Sequence, residues 1–433
     1  MRTALLPLAL LGCSPPSSPV ADAPPAADAS PDAPAPPDAV PSGPIHVRVV
    51  EEGMPIADMV VLFHDPAGAL IDRGVTDANG ELTAVEPDGS TVTVFDASLV
   101  RLRTVYAARV GDVLVFGNAA PATGSILVTF PPHPSPPPGS FYLAITNCAV
   151  GEALPPLGSP MVTMNIHCPT APTSSVMVAL GGFESGGRFE YRGYIEQQNV
   201  PLTPGSPITI TGAWQPPVID QVAFTNVPAG GEIGVLKEWY RNGTMFSQRG
   251  NTLVNVTSLA WPAPGGGDAW RAQLAVCLKN NPLYPCQWLW RSLTNPTDLS
   301  HDFEATRMPW VANPVVSAGP PTQITWTADG VPTYRLTRVR YRPWDPDVGP
   351  VWELALPAIE QATASITLPA LPPDLEAIWS APPPYDPPYD LYPSTRVELS
   401  RSNLSYDELR VRVFNERLSY HADLSQVTVS RMP

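Results

Sequence analysis

Gly74-Val75-Thr76-Asp77-Ala78-Asn79-Gly80, with Thr91-Val92-Thr93-Val94 shortly after it, decides how this chain is to be read. Asn79-Gly80 tolerates the positive φ that a tight hairpin turn demands, and the Asp77 carboxylate suits the backbone N–H groups just ahead of it. The alternation at 91–94 has the two-residue period of a strand. Upstream, Ile45, Val47 and Val49 alternate in the same way, and a short apolar run covers Met59 to Phe63. Gly53, Pro55 and Gly68 punctuate these runs. Residues 45–131 therefore read as a small β-domain.

The succession of a strand, Gly53-Met54-Pro55, a strand and then Thr76-Asp77-Ala78-Asn79-Gly80 resembles the carboxypeptidase regulatory-like domains. The resemblance covers about a fifth of the chain and implies a transthyretin-like β-sandwich there. Asp77 to Gly80 also looks like the start of a calcium loop. The twelfth position counted from Asp77 is Asp88, however, where such a loop needs a bidentate glutamate, so a structural turn is expected. Residues 45–131 contain no lysine, which excludes the lysine–asparagine crosslink that related surface domains carry.

The rest of the chain extends this β reading. Its 433 residues suffice for two to four domains, and 44% of them are hydrophobic, enough to fill real cores. The 57 prolines speak against long helices, because proline removes a backbone donor and clashes with the preceding turn. Residues 131–139, Pro-Pro-His-Pro-Ser-Pro-Pro-Pro-Gly, read as a short stiff linker. Residues 140–315 carry repeated strand signals, at Phe141 to Ile145, Met161 to Ile166, Ser175 to Leu180, Ile208 to Ile210 and Ala272 to Leu278. Residues 316–433 form a last expected β-domain. Its Gln323-Ile324-Thr325-Trp326-Thr327 and Tyr334 to Tyr341 resemble the early strands of fibronectin-type sandwiches. Near its end, Leu409, Val411 and Val413 alternate with charged neighbours, which predicts a half-buried strand. The tyrosine-studded stretch from Pro382 to Pro393 reads as an exposed loop. The expected class is mainly β: tandem antiparallel β-sandwich domains after a disordered Pro/Ala-rich linker.

The N-terminus points to export. Arg2, the apolar run Ala4 to Leu11 and then Leu10-Leu11-Gly12-Cys13 have the parts of a secretory signal. The ending resembles the lipobox of bacterial lipoproteins. That resemblance implies removal of residues 1–12, lipid on Cys13 and, with Ser14 following, passage to the outer membrane of a Gram-negative cell. Two or three acyl chains anchor stably, at about 0.8 kcal/mol per buried methylene. An ordinary signal peptide is the alternative reading. Residues 14–44 are almost entirely Pro, Ala, Asp and Ser, too poor in apolar bulk to offset ordering entropy. They read as a spacer between anchor and folded part. The other cysteines, Cys148, Cys168, Cys277 and Cys286, are even in number and fit an oxidising compartment. The sequence-local pairs Cys148–Cys168 and Cys277–Cys286 are expected, although four cysteines permit three connectivities. Buried free thiols are the alternative; zinc is disfavoured, because no C-x-x-C spacing occurs and His167 beside Cys168 is a weak ligand pair.

Net charge is −15, so no basic face for nucleic acid is visible, and adsorption to anionic lipid is disfavoured. No catalytic constellation emerges, and no metal or cofactor is implied. Glu184-Ser185-Gly186-Gly187 resembles the nucleophile motif of trypsin-like proteases, with His167-Cys168 in the place of their histidine segment. The two lie too close in sequence for that fold, and a Gly-rich hairpin explains them better. The six histidines are scattered. All 11 tryptophans lie between Trp214 and Trp379, and Trp288-Leu289-Trp290 puts two indoles on one face of a strand. Exposed, they would suit sugar rings; packed against a bridge at Cys286, they are core. The reading reached is a non-catalytic envelope lipoprotein presenting β-sandwiches as a binding or scaffolding surface for an envelope polysaccharide or surface protein. A carbohydrate-binding module built on Trp288 and Trp290 is one alternative. An exported hydrolase with a carboxylate pair brought together by folding is another.

Overall fold

Ile45, Val47 and Val49 are buried while His46 and Arg48 between them are exposed, so the alternation is that of a strand, Ser42–Glu51. It begins inside the stretch expected as linker. The strand pairs antiparallel with Glu81–Pro87 and parallel with Val113–Gly117. The turn at Asp77 closes as expected: Asp77 Oδ1 accepts from the backbone N–H of Asn79 at 2.8 Å and of Glu81 at 2.9 Å. Gly80 sits at φ +72°, and a Cβ there would lie 2.4 Å from the Val49 carbonyl oxygen, so geometry and space both require glycine.

This computed structural model describes residues 40–431 except 52, 118–123, 147–148, 154–159, 167–173, 184–188, 242–243, 248–256, 264–268, 279–284, 294–297, 318–320, 331–333, 345–348, 360, 382–393, 403, 412 and 415–423. Cys13 with its lipobox, most of the Pro/Ala stretch, Cys148, Cys168, the 184–187 motif and the 382–393 loop thus lie outside the described residues. The structure is mainly β, and residues 41–433 form one compact unit.

A 12-stranded sheet runs through that unit. Val60–His64, flanked by Leu70–Val75 and Ser90–Asp96, covers the first small sheet. Ser90–Asp96 pairs with Arg101–Ala108, which then pairs parallel with Val351–Pro357. From there the order continues through Leu336–Arg342, Ser394–Ser402 and Leu424–Arg431 to Cys286–Leu293, Ala269–Leu278, Gly231–Arg241 and Thr244–Ser247. The three regions expected as separate domains therefore share one sheet. Residue 315, expected as a boundary, lies inside the strand Val311–Ser317. The reason is burial: Ser90–Asp96 is covered on both faces, and Val351–Pro357 on one face and, at Val351 and Ala355, on part of the other, which neither region could do alone.

One face of this sheet packs Leu102, Val339, Trp352 and Leu354 against Ile324 and Trp326. The latter two come from the three-stranded sheet of Val311–Ser317, Gln323–Ala328 and Thr363–Thr367. Each such side chain, fully buried, contributes about 1.5–3 kcal/mol. Trp352 Nε1 donates to Thr104 Oγ1 at 2.8 Å, so the indole enters the core satisfied. Gly124–Thr129, expected in the first domain, belongs to a separate seven-stranded sheet with Met161–Ile166 and Phe141–Ile145. The proline-rich 131–139 stretch beside it is no free linker. Trp214 Nε1 donates to the Pro131 carbonyl at 3.0 Å, and the Trp214 ring packs on His133 and Tyr142.

Leu409 and Val413 are buried as expected, but the element there is a short helix, Tyr406–Arg410. Ser405 and Glu408 form a capping box, each side chain bonding the other's backbone N–H. That local pairing overrides the alternation that suggested a strand.

Candidate functional site

Four neighbouring strands of the large sheet, Arg101–Ala108, Val351–Pro357, Leu336–Arg342 and Ser394–Ser402, alternate apolar and charged residues. Leu102, Trp352, Val339 and Val397 enter the core on one side. By the same alternation Arg103, Glu353, Arg340 and Arg396 stand on the other. The pairing register aligns these four in one row across the strands: Arg103 opposite Glu353, Glu353 opposite Arg340, and Arg340 opposite Arg396. Arg338 and Glu398 face each other in the adjacent row.

The two glutamates bind arginines from both sides. Glu353 receives Arg340 Nη2 at 2.6 Å and Arg103 Nε at 3.3 Å. Glu398 lies 3.3 Å from Arg338 Nη1 and 3.6 Å from Arg396 Nη2. The side chains of Glu353 and Glu398 are 16% and 10% exposed, whereas those of Arg338, Arg340 and Arg396 are 38%, 44% and 48% exposed. The anions are turned inward and the guanidinium groups outward. Burial on its own would push the Glu353 carboxyl up. The Arg340 hydrogen bond, with the charges of Arg340, Arg103 and Arg101, outweighs it and holds the group below the usual glutamate range. Burial pulls Arg103 below its ordinary value against the attraction of Glu353.

Phe414 walls this face. Its ring stacks on Phe116 at 5.6 Å between centroids, and helix Tyr406–Arg410 just before it fixes its position. Arg410, 3% exposed, grips Asp112 through Nε at 2.7 Å and Nη2 at 2.8 Å, and also meets Asp407. The Tyr406 hydroxyl lies 2.7 Å from the Tyr106 carbonyl oxygen and 3.1 Å from that of Ala355. Between Phe414 and the arginines is a hollow of about 520 Å³, counting its open mouth. Arg101 and Arg103 line a second hollow, of about 560 Å³, with Glu51 and Asp96.

The tryptophans singled out from sequence lie on a strand, Cys286–Leu293, between Ala269–Leu278 and Leu424–Arg431. Cys277 and Cys286 are opposite each other and disulfide-bonded. Gln287 and Leu289 turn toward a buried cluster with Leu274 and Phe224. Trp288 takes the other face, which it shares by alternation with Cys286, and is half-buried. The side chain of Trp290 lies outside the described residues.

A carboxylate pair of the kind a hydrolase needs is present at another place, and its geometry is wrong. Glu86 is buried, and its carboxyl is pushed up to about 6 by desolvation, by the charge of Asp72 and by a hydrogen bond with it. Two carboxyl groups in hydrogen-bond contact leave no room for a glycosidic bond, which needs about 5–5.5 Å or more between them.

The arginine–glutamate face was not foreseen. Its signal is in the sequence: Arg338-Val339-Arg340 and Arg396-Val397-Glu398 are charged at every second position. Each run by itself is the wet side of any strand. Only strand pairing reveals that the charges converge.

No protein-family model matches the chain, and no curated protein does. Among solved structures it is similar to the TIE protein of Bacillus anthracis, at 9% identity and a TM-score of 0.15 over 60% of this chain. It spans 50% of that protein's chain. A Ca2+-stabilized adhesin with which an Antarctic bacterium binds ice aligns at 12% identity and a TM-score of 0.13, covering 80% of this chain and 87% of the other. A Streptococcal ancillary pilin aligns at 9% identity and a TM-score of 0.15, covering 60% and 99%. At such scores the likeness says nothing about what this chain binds.

Proposed function

We propose that this chain is an exported, lipid-anchored protein of the bacterial envelope whose β-sheet body serves as a non-catalytic binding surface. The observation that carries the binding role is the open arginine–glutamate face, mounted on four paired strands of the large sheet. Its carboxylates are engaged by arginines, and Glu353 is held ionised, which suits electrostatic recognition and not proton transfer. The anchoring role rests on Leu10-Leu11-Gly12-Cys13 and the Pro/Ala stretch behind it. A disulfide at Cys277–Cys286 suits the oxidising space outside the inner membrane. Of residues 45–131, read as a carboxypeptidase regulatory-like module, the part up to Gly117 keeps that proposed role within this body, while Gly124–Thr129 belongs to another sheet.

Two measurements test the reading. Replacing Cys13→Ala should move the protein from the membrane pellet to the soluble fraction; full retention in the pellet sinks the anchor. Purified protein should co-sediment with a cell-envelope polysaccharide preparation, and its absence from the pellet counts against a binding surface for such polymers.

A further inference from the structure

We propose that the hollow between Phe414 and the arginine rows binds an acidic sugar unit, its ring against Phe414 and its carboxylate held by Arg340 and Arg396. The inference rests on the binding-surface reading above and names the ligand class.

Charge is the first argument. The chain carries −15 overall, yet the row Arg103, Glu353, Arg340, Arg396 and its neighbours Arg338 and Glu398 hold twice as many arginines as glutamates. Arg103 lies as deep as Glu353, and the exposures turn the other three arginines toward a ligand, since the glutamates lie beneath the guanidinium groups of Arg338, Arg340 and Arg396. A guanidinium has five N–H donors, and pairing with one carboxylate oxygen leaves several to spare.

Geometry is the second. Arg340 and Arg396 are direct cross-strand neighbours, about 4.8 Å apart at the backbone, so a planar carboxylate can meet a fork from either. Like charges placed opposite each other repel, and an anion between them removes that cost.

The wall is the third argument, and it separates a sugar acid from a bare phosphate. Phe414 is partly exposed and offers an apolar face, which a sugar ring can cover and a phosphate cannot use.

The test uses the full chain in detergent and three polymers: polygalacturonate, neutral dextran and polyphosphate. Polygalacturonate should bind and dextran should not. Arg396→Gln is the variant of choice, because its contact to Glu398 is long and Arg338 still pairs that glutamate. It should weaken polygalacturonate binding about tenfold while leaving the thermal midpoint unchanged. Arg340→Lys keeps the charge beside Glu353 and removes the fork, and should also weaken binding severalfold. Equal affinity of wild type and Arg396→Gln overturns the assignment, as does tighter binding of polyphosphate than of polygalacturonate. Should the chain pellet with envelope polysaccharide but ignore polygalacturonate, the sugar-acid assignment falls and the binding surface stands. Failure of both experiments removes both.

Discussion

Glu86 and Glu353 are both buried glutamates, and their surroundings drive them in opposite directions. Glu86 faces Asp72 and prefers its proton, with its carboxyl raised to about 6. The unfolded chain releases that proton near pH 4.3, so the ionised form opposes folding, increasingly from about pH 4.5 and fully above about 6. Glu86→Gln should therefore stabilise the protein at pH 7.5 and do little at pH 4.5, as read by urea unfolding at both. An equal gain at the two pH values would mean that packing, not charge, is responsible. Glu353 is the reverse case. Its lowered carboxyl gives stability that is present above the unfolded value and lost as pH falls through the folded one. Glu353→Gln leaves the mostly buried Arg103 without its anion while the exposed Arg340 stays hydrated, and should cost about 1–3 kcal/mol at pH 7. The loss should shrink in acid, and a pH-independent loss argues against the ion pairs as its source.

At the scale of the element, helix Tyr406–Arg410 shows which local rule wins. Leu409, Val411 and Val413 have the period of a strand, and Ser405-Tyr406-Asp407-Glu408 has the signature of a helix start. The helix forms because the capping box satisfies its first N–H groups, and it stays docked because Arg410 and Asp112 pair out of water. The two contributions differ in size. Ser405→Ala should cost about 1 kcal/mol, the usual worth of a cap. Asp112→Ala removes two of the charged hydrogen bonds to a buried guanidinium, leaves it Asp407 alone, and should cost more, about 2–4 kcal/mol. Thermal unfolding of both variants checks the order, and a larger loss for Ser405→Ala would reverse the account.

Across the whole molecule, the parallel pairing of Arg101–Ala108 with Val351–Pro357 joins residues some 250 positions apart. It makes the first sandwich dependent on the last third of the chain. Leu62, Phe95 and Leu102 are buried against Trp326, Trp352 and Leu354, and without those partners one face of the Val60–His64 layer is bare. A fragment of residues 41–131 should therefore give a poorly dispersed amide spectrum and aggregate, whereas the full body should unfold in one transition. A well-dispersed spectrum from the fragment would restore the first sandwich as an independent domain.

The mainly β class, the place of the Asp77–Gly80 turn and the inward facing of Ile45, Val47 and Val49 are all legible in the sequence. Those features depend on neighbours within a few residues: positive φ at glycine, a carboxylate beside its own backbone, a period of two. The sequence also made Cys277–Cys286, nine residues apart, the expected pair among three possible connectivities, and the structure joins them. Which strands are neighbours, and so the sharing of one sheet by three expected domains, emerges only once the chain has folded. The arginine–glutamate face belongs to this second class. Arg103, Arg340, Glu353 and Arg396 come from four separate strands, and their charges meet because strand edges pair wherever both apolar faces can be covered. No local pattern encodes that choice, since it is made by the burial of the whole sheet.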